Sequence, residues 1–250
     1  RQRQMCIRDR AGTLEMVHFL KKVLEERYDG ICISPIADLR VEKLLQKMAE
    51  KGVEVIFILS AFDSVPYRTL IGTDSYQCGR STGEAVREAL GADGAVGIIK
   101  WKDNLIETVE DRYHGVVDVL KENRIPYYDM TGPGEPTAEE ATKLTDRLLT
   151  EHPDISVLCA TNVGWGLAFA RYLKSKGKKV KLVTVDFTDE VGEFMKAGYV
   201  DAAIAQRPES WGSMTLEKIE AVFEGQSIPK TIDTGTYPVT PANIRIYVKD

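Results

Sequence analysis

The sequence predicts an α/β protein built as two doubly wound parallel-sheet lobes. Three observations carry this. Stretches of helical apolar spacing alternate with short β-branched runs along almost the whole chain. Several of those runs are apolar throughout, as strands covered on both faces must be. The strands are also too many for one small lobe, and 250 residues allow one large or two modest domains.

The elements follow in order. Residues 13–28 place Leu14, Val17, Leu20, Val23 and Leu24 on one helical face, and Asp29-Gly30 stops them. Residues 31–33 are a short buried strand ending near Pro35. Val41, Leu44, Leu45 and Met48 mark a second helix, closed by Lys51-Gly52. Residues 53–59 form a near-continuous β-branched strand, and 70–71 a short one before Gly72. Helix then alternates strictly with strand: helices at 75–90, 105–121, 137–150, 163–175, 189–196 and 209–223, strands at 95–100, 125–128, 155–160, 180–185 and 201–205. Thr137 with Glu140 three residues on is a capping box. The tail, 231–248, reads as extended.

Composition bounds the function. Apolar residues make up 43% and charged residues 28%, an ordinary globular mixture. A net charge of −5 argues against a duplex-binding face, so no nucleic acid is expected for this segment. No apolar run approaches the roughly 20 residues of a membrane helix. Cys6, Cys32, Cys78 and Cys159 have no metal or redox spacing, and Cys32 and Cys159 read as small buried hydrophobes. None of His18, His114 and His152 stands beside a nucleophile motif, and no phosphate-cradling or metalloprotease pattern occurs. Gly132-Pro-Gly134 reads as a turn. An enzyme is not expected, nor a cofactor or a metal. Residues 1–10, with four arginines and no apolar h-region, are not a signal peptide and read as a non-native scar.

In sheets of this kind a ligand binds outside the carboxyl ends of the strands. Those ends carry Ser34, then Ser60 and Asp63, then Trp101 and Asp103, then Asn162 with Trp165 just beyond, then Asp186, then Gln206. Hydrogen-bonding side chains mixed with flat aromatic rings suit a sugar or polyol.

Six segments then carry a resemblance. They are Leu70-Ile-Gly-Thr-Asp-Ser-Tyr-Gln-Cys-Gly79, Glu110-Asp-Arg-Tyr-His-Gly115, Cys159-Ala-Thr-Asn162, Val183-Thr-Val-Asp186, Ala203-Ile-Ala-Gln-Arg-Pro208, and the tail from Ile228 to Gly235 with Val239 to Ile244. In order and spacing they resemble the periplasmic sugar-binding proteins of the ribose-binding type. The resemblance implies a type I periplasmic binding fold whose lobes join through a three-segment hinge and close on ligand. It implies a partial N-terminal lobe at 11–73 plus 207–235 and a C-terminal lobe at 74–206 plus 236–250. It marks Arg112, Asn162, Asp186 and Gln206 as ligand contacts. Ser34 stands where the family often has Asn. Leu59 and Ser60 stand where ribose binders carry an Asp-Arg pair, which removes a charged clamp on hydroxyls. Asp63 is the candidate replacement.

Each residue has a plainer alternative. Arg112 could pair with Glu110 or Asp111 at the surface. Asn162 and Asp186 could cap the helices that follow them. Gln206 could satisfy hinge backbone, and Trp101 and Trp165 could be core aromatics. Trp211 reads as core.

The family resemblance implies an extracytoplasmic receptor delivering a sugar or similar solute to an ABC permease in the membrane. The other contexts of this fold are the effector domain of a lac-repressor-like regulator and the sensor domain of a receptor kinase. The tail resembles the transporter receptors more. A complete first lobe of this family opens with a strand, whereas the first element read here is a helix, so the first lobe is expected to be incomplete, with an exposed strand edge.

Overall fold

The structure, a computed structural model, describes residues 12–91, 93–101, 107–134 and 136–247. The elements run α1 (Thr13–Glu26), β1 (Gly30–Ile33), α2 (Leu39–Glu50), β2 (Glu54–Ile58), β3 (Thr69–Gly72) and α3 (Ser75–Leu90). Then come β4 (Ala95–Trp101), α4 (Glu107–Glu122), β5 (Tyr127–Gly132), α5 (Ala138–Glu151), β6 (Ile155–Ala160) and α6 (Val163–Lys176). Last are β7 (Lys181–Val185), α7 (Asp189–Lys196), β8 (Ala202–Ala205), α8 (Pro208–Phe223), β9 (Thr231–Asp233), β10 (Tyr237–Val239) and a 3₁₀ turn, Ile244–Ile246. The chain divides into unit 1, residues 1–74 with 207–235, and unit 2, residues 75–206 with 236–250. It therefore passes between them at Asp74–Ser75, Gln206–Arg207 and Gly235–Thr236.

Unit 1 is a four-stranded sheet in the order β1-β2-β3-β9, parallel throughout. The pleat sends alternate residues to opposite faces. Ile31, Ile33, Val55 and Phe57 pack with Leu20 of α1 and Leu45 of α2. Cys32, Ile56, Ile58 and Ile71 pack with Trp211 and Ile219 of α8. Both faces are covered, which is why these strands read as continuous apolar runs. Each such fully buried Leu, Ile or Phe contributes about 1.5–3 kcal/mol. β1 is an edge strand.

Two of the three chain crossings are fastened inside this unit. The Asp74 N–H donates to Asp233 Oδ1 at 3.0 Å, and the Trp211 indole N–H donates to Thr234 Oγ1 at 3.0 Å. Trp211 is thus a core aromatic with one polar duty.

Unit 2 is a six-stranded sheet in the order β10-β8-β7-β6-β4-β5, parallel except for β10. Ile99, Leu158, Ala160, Leu182 and Ala203 face α5, α6 and α7. Val96, Ile98, Val157, Cys159 and Val183 face α3 and α4. The chain steps outward from β4 to β5, then returns to the other side of β4 to lay down β6, β7 and β8 in sequence. The order therefore reverses between β4 and β6, and that is the topological switch point. Burial pushes the Cys159 thiol up to about 12, consistent with an inert core residue.

The structure departs from the sequence reading in three places. Alternation is not strict, because β2 and β3 are joined by a loop, 59–68, without a helix. β5 runs on to Gly132. The tail is not extended throughout: β9 joins one sheet, β10 joins the other, and a 3₁₀ turn follows. The arginine-rich opening, 1–10, lies outside the described residues. Among the described residues no helix is long and apolar enough to cross a membrane.

Candidate functional site

The carboxyl edge of unit 2 collects Trp101, Asn162, Asp186 and Gln206 at the ends of adjacent strands. Ala160 of β6 lies level with Thr184 of β7, and Val185 of β7 with Ile204 of β8. Continuing those registers sets Asn162 beside Asp186, with Gln206 one strand further. On the other side, Ile98 of β4 lies level with Cys159 of β6, which brings Trp101 alongside Asn162. With neighbouring strands about 4.8 Å apart, the row spans roughly 15 Å.

Asp186 holds a left-handed backbone, φ 69°, which Asp tolerates better than a branched residue does. Its N–H donates to Ile204 O at 2.9 Å, and its Oδ1 accepts from the Gln206 side-chain amide at 2.6 Å. The helix cap beyond it is Thr188, whose Oγ1 accepts from the Val191 N–H. Asp186 is thus free of capping duty. Asn162 is not, since its Oδ1 accepts from the Trp165 N–H at 3.0 Å and caps α6. Its Nδ2 is left over.

Arg112 reaches this edge from the first turns of α4. Two glycines make that possible. A Cβ at Gly79 of α3 would lie 2.2 Å from the Arg112 carbonyl oxygen, and one at Gly115 would lie 2.3 Å from the Tyr76 carbonyl oxygen. The helices therefore cross backbone against backbone. Arg112 is only 6% exposed, and its Nη1 donates to Thr161 O at 3.4 Å. It does not pair with Glu110, which holds Lys100 and His114.

Four buried side-chain atoms at this edge have no hydrogen-bond partner among the described residues: Trp101 Nε1, Arg112 Nε, Asn162 Nδ2 and Gln206 Oε1. A buried polar group without a partner costs about 1–3 kcal/mol. Each such group calls for a partner from outside the described residues, such as water, an ion or a bound polar molecule.

The turn Gly132-Pro133-Gly134 has a role the sequence did not reveal. A Cβ at Gly134 would stand 3.1 Å from the Trp101 ring, and one at Gly132 would stand 2.9 Å from that of Trp165. The turn thus makes room for both indoles. Trp165 is a correction: it is fully buried in the core beside Phe169, and its Nε1 donates to Pro133 O at 3.0 Å. Neither its ring nor its polar atom is left for a ligand.

In unit 1, Ser34 and Ser60 end β1 and β2 half-buried, while Asp63 is exposed in the 59–68 loop. Leu59 adopts φ 68°, and its N–H donates to Ile71 O at 3.0 Å. Asp103 lies outside the described residues.

Comparison with known proteins adds to this geometry. The family described as periplasmic binding protein domain matches residues 7–227. The ribose import binding protein RbsB of Bacillus subtilis (strain 168) is 21% identical over 220 residues, covering 85% of this chain and 69% of that protein. An ABC transporter solute-binding protein from Burkholderia graminis C4D1M, solved in complex with D-arabinose, superimposes with a TM-score of 0.84 at 24% identity, over 95% of this chain and 84% of its own. A sugar-binding protein of a sugar ABC transporter from Bacillus halodurans superimposes with a TM-score of 0.86 at 18% identity, over 95% and 86% of the two chains.

Proposed function

The chain belongs to the periplasmic binding protein domain family, and from that premise we propose that it is the extracytoplasmic solute-binding protein of an ABC importer. Its ligand is a sugar or similar small polar molecule, and its macromolecular partner is the importer's membrane permease. It binds and delivers, and catalyses nothing. The observation that carries this reading is the set of unpartnered polar atoms on Trp101, Arg112, Asn162 and Gln206 along one strand edge. They complement the ring oxygen and hydroxyls of a saccharide, which both donate and accept. Asp186 adds a charged acceptor for hydroxyls. The relatives named for ribose import and sugar transport support the same chemistry.

The test is thermal melting of the chain against a panel of neutral and acidic monosaccharides and polyols. A ligand at 100 times its Kd stabilises the native state by about 2.7 kcal/mol, a rise of roughly 5–10 °C for a chain this size. A flat response to the whole panel overturns the proposal.

A further inference from the structure

Residues 174–181 carry five lysines, Lys174, Lys176, Lys178, Lys179 and Lys181, and no carboxylate, in a chain whose net charge is −5. The fold gathers them. Gly177 ends α6 in a left-handed turn, φ 61°, and the Lys178 N–H donates back to Leu173 O at 3.1 Å. Lys174 and Lys176 therefore close the helix, while Lys178, Lys179 and Lys181 lead into β7. Four of the five are exposed and Lys178 is half-buried. The turn after α7 supplies a facing wall, so that Lys178, Lys179 and Lys181 line a surface cleft of about 400 Å³ with Gly198, Tyr199 and Asp201.

Complementing the carboxyl end of α6 accounts for Lys174 and Lys176 only. The other three lie beyond the helix. Elsewhere Lys22, Lys100, Lys196 and Lys218 each pair with a carboxylate. Among the described residues none of the five lysines does. Lys174 and Lys178 lie over the rings of Phe194 and Tyr172, 5.8 and 5.7 Å from the ring centroids, and Lys181 donates to Ala89 O. The carboxylates beside the patch have other partners: Asp146 accepts from the Tyr172 hydroxyl at 2.6 Å, and Asp201 from the Leu182 N–H at 2.9 Å. Counting both still leaves the patch positive.

We infer that this face of unit 2 rests on an anionic bilayer surface, held by phosphate-bearing headgroups. Lysines are strongly hydrated point charges on flexible stems. They suit charge spread over many headgroups, where the planar fork of arginine selects a single carboxylate or phosphate. The one arginine close by in sequence, Arg171, is held by Glu190. Tyr199, half-buried in the cleft, is a side chain of the kind that collects at membrane–water boundaries. Only the choice of lipid as partner rests on the extracytoplasmic reading above, which sets the chain beside a membrane. β7 starts at Lys181 and ends one residue before Asp186, so the patch and the candidate site occupy opposite ends of one sheet.

Sedimentation of the chain with lipid vesicles tests this. Phosphatidylcholine vesicles with about one-third phosphatidylglycerol should bind it roughly tenfold more strongly than pure phosphatidylcholine at about 50 mM salt, and the difference should vanish at about 500 mM. Lys176→Gln, Lys178→Gln and Lys179→Gln together should weaken binding roughly 100-fold, at about fivefold for each charge. Lys43→Gln, Lys47→Gln and Lys51→Gln together, all exposed along or just after α2 of unit 1, remove the same charge elsewhere. They should leave binding within about twofold of the parent. Equal binding to the two kinds of vesicle, or equal losses in the two triple variants, overturns the inference. So does duplex DNA binding more tightly than the anionic vesicles. Each of these results leaves the sugar-binding reading, tested by melting, standing. The comparison of vesicles with the parent chain holds even if a variant fails to fold.

Discussion

The Gln206 side-chain amide donates to Asp186 Oδ1 at 2.6 Å. Gln206 is the last residue of unit 2 before the chain passes to unit 1, and Asp186 ends the neighbouring strand in a left-handed conformation. One hydrogen bond therefore links a carboxylate of the candidate site to a chain crossing. Asp186→Asn keeps the acceptor, and Asn is at ease with φ > 0. The variant should melt within a few degrees of the parent. It should bind the sugar about tenfold more weakly, because a charged acceptor has become neutral. Melting curves and titration calorimetry on the same preparation separate the two effects.

Gly79→Ala should be costly far beyond its size. The new methyl group would meet the Arg112 carbonyl oxygen at 2.2 Å, and backbone cannot swing aside as a side-chain tip can. The expected loss is about 1–3 kcal/mol, read from urea denaturation. Ligand affinity should fall with it, since α4 carries Arg112. An unchanged urea midpoint would show that the helices do not cross this closely.

The two tryptophans should part company. Trp165→Ala empties a fully buried core site and should cost about 3–5 kcal/mol. Trp101 is half-buried at the strand end, so Trp101→Ala should lower stability less and sugar affinity more. Equal stability losses for the two variants would contradict this division.

Asp38, at the start of α2 in unit 1, provides a pH handle. Hydrogen bonds from the Arg40 side chain and backbone N–H, as Asp38 caps α2, hold its carboxyl down to about 2. A carboxyl lowered by folding favours the native state above its unfolded value of about 3.9, and that contribution disappears as the pH falls toward 2. The difference in urea midpoint between the parent and Asp38→Ala should therefore be largest at pH 5 and shrink steeply as the pH falls toward 2.

Much of the fold was legible because its signals are local. Helix faces such as Leu20 with Val23, the Thr137–Glu140 capping box, and runs such as 155–160 repeat at the period of their own element. The β2–β3 loop and the split tail were harder to see. A strand of three residues, such as β9 or β10, has too few positions for a period, and its pairing depends on segments far away in sequence.

The same division runs through the candidate site. The sequence pointed to Asn162, Asp186 and Gln206 because strand ends and their polar residues can be read from alternation, and to Arg112, inside a helix, only through the family resemblance. Only the tertiary structure decided what each could do. It committed the Trp165 indole to Pro133, across 32 positions, and made Asn162 both a cap and a donor with a proton to spare. It also buried Arg112 against Gly79 without a carboxylate. The physical reason is that propensity belongs to a residue and its near neighbours. Whether a polar atom finds a partner belongs to the packing of elements that meet only when the chain has folded.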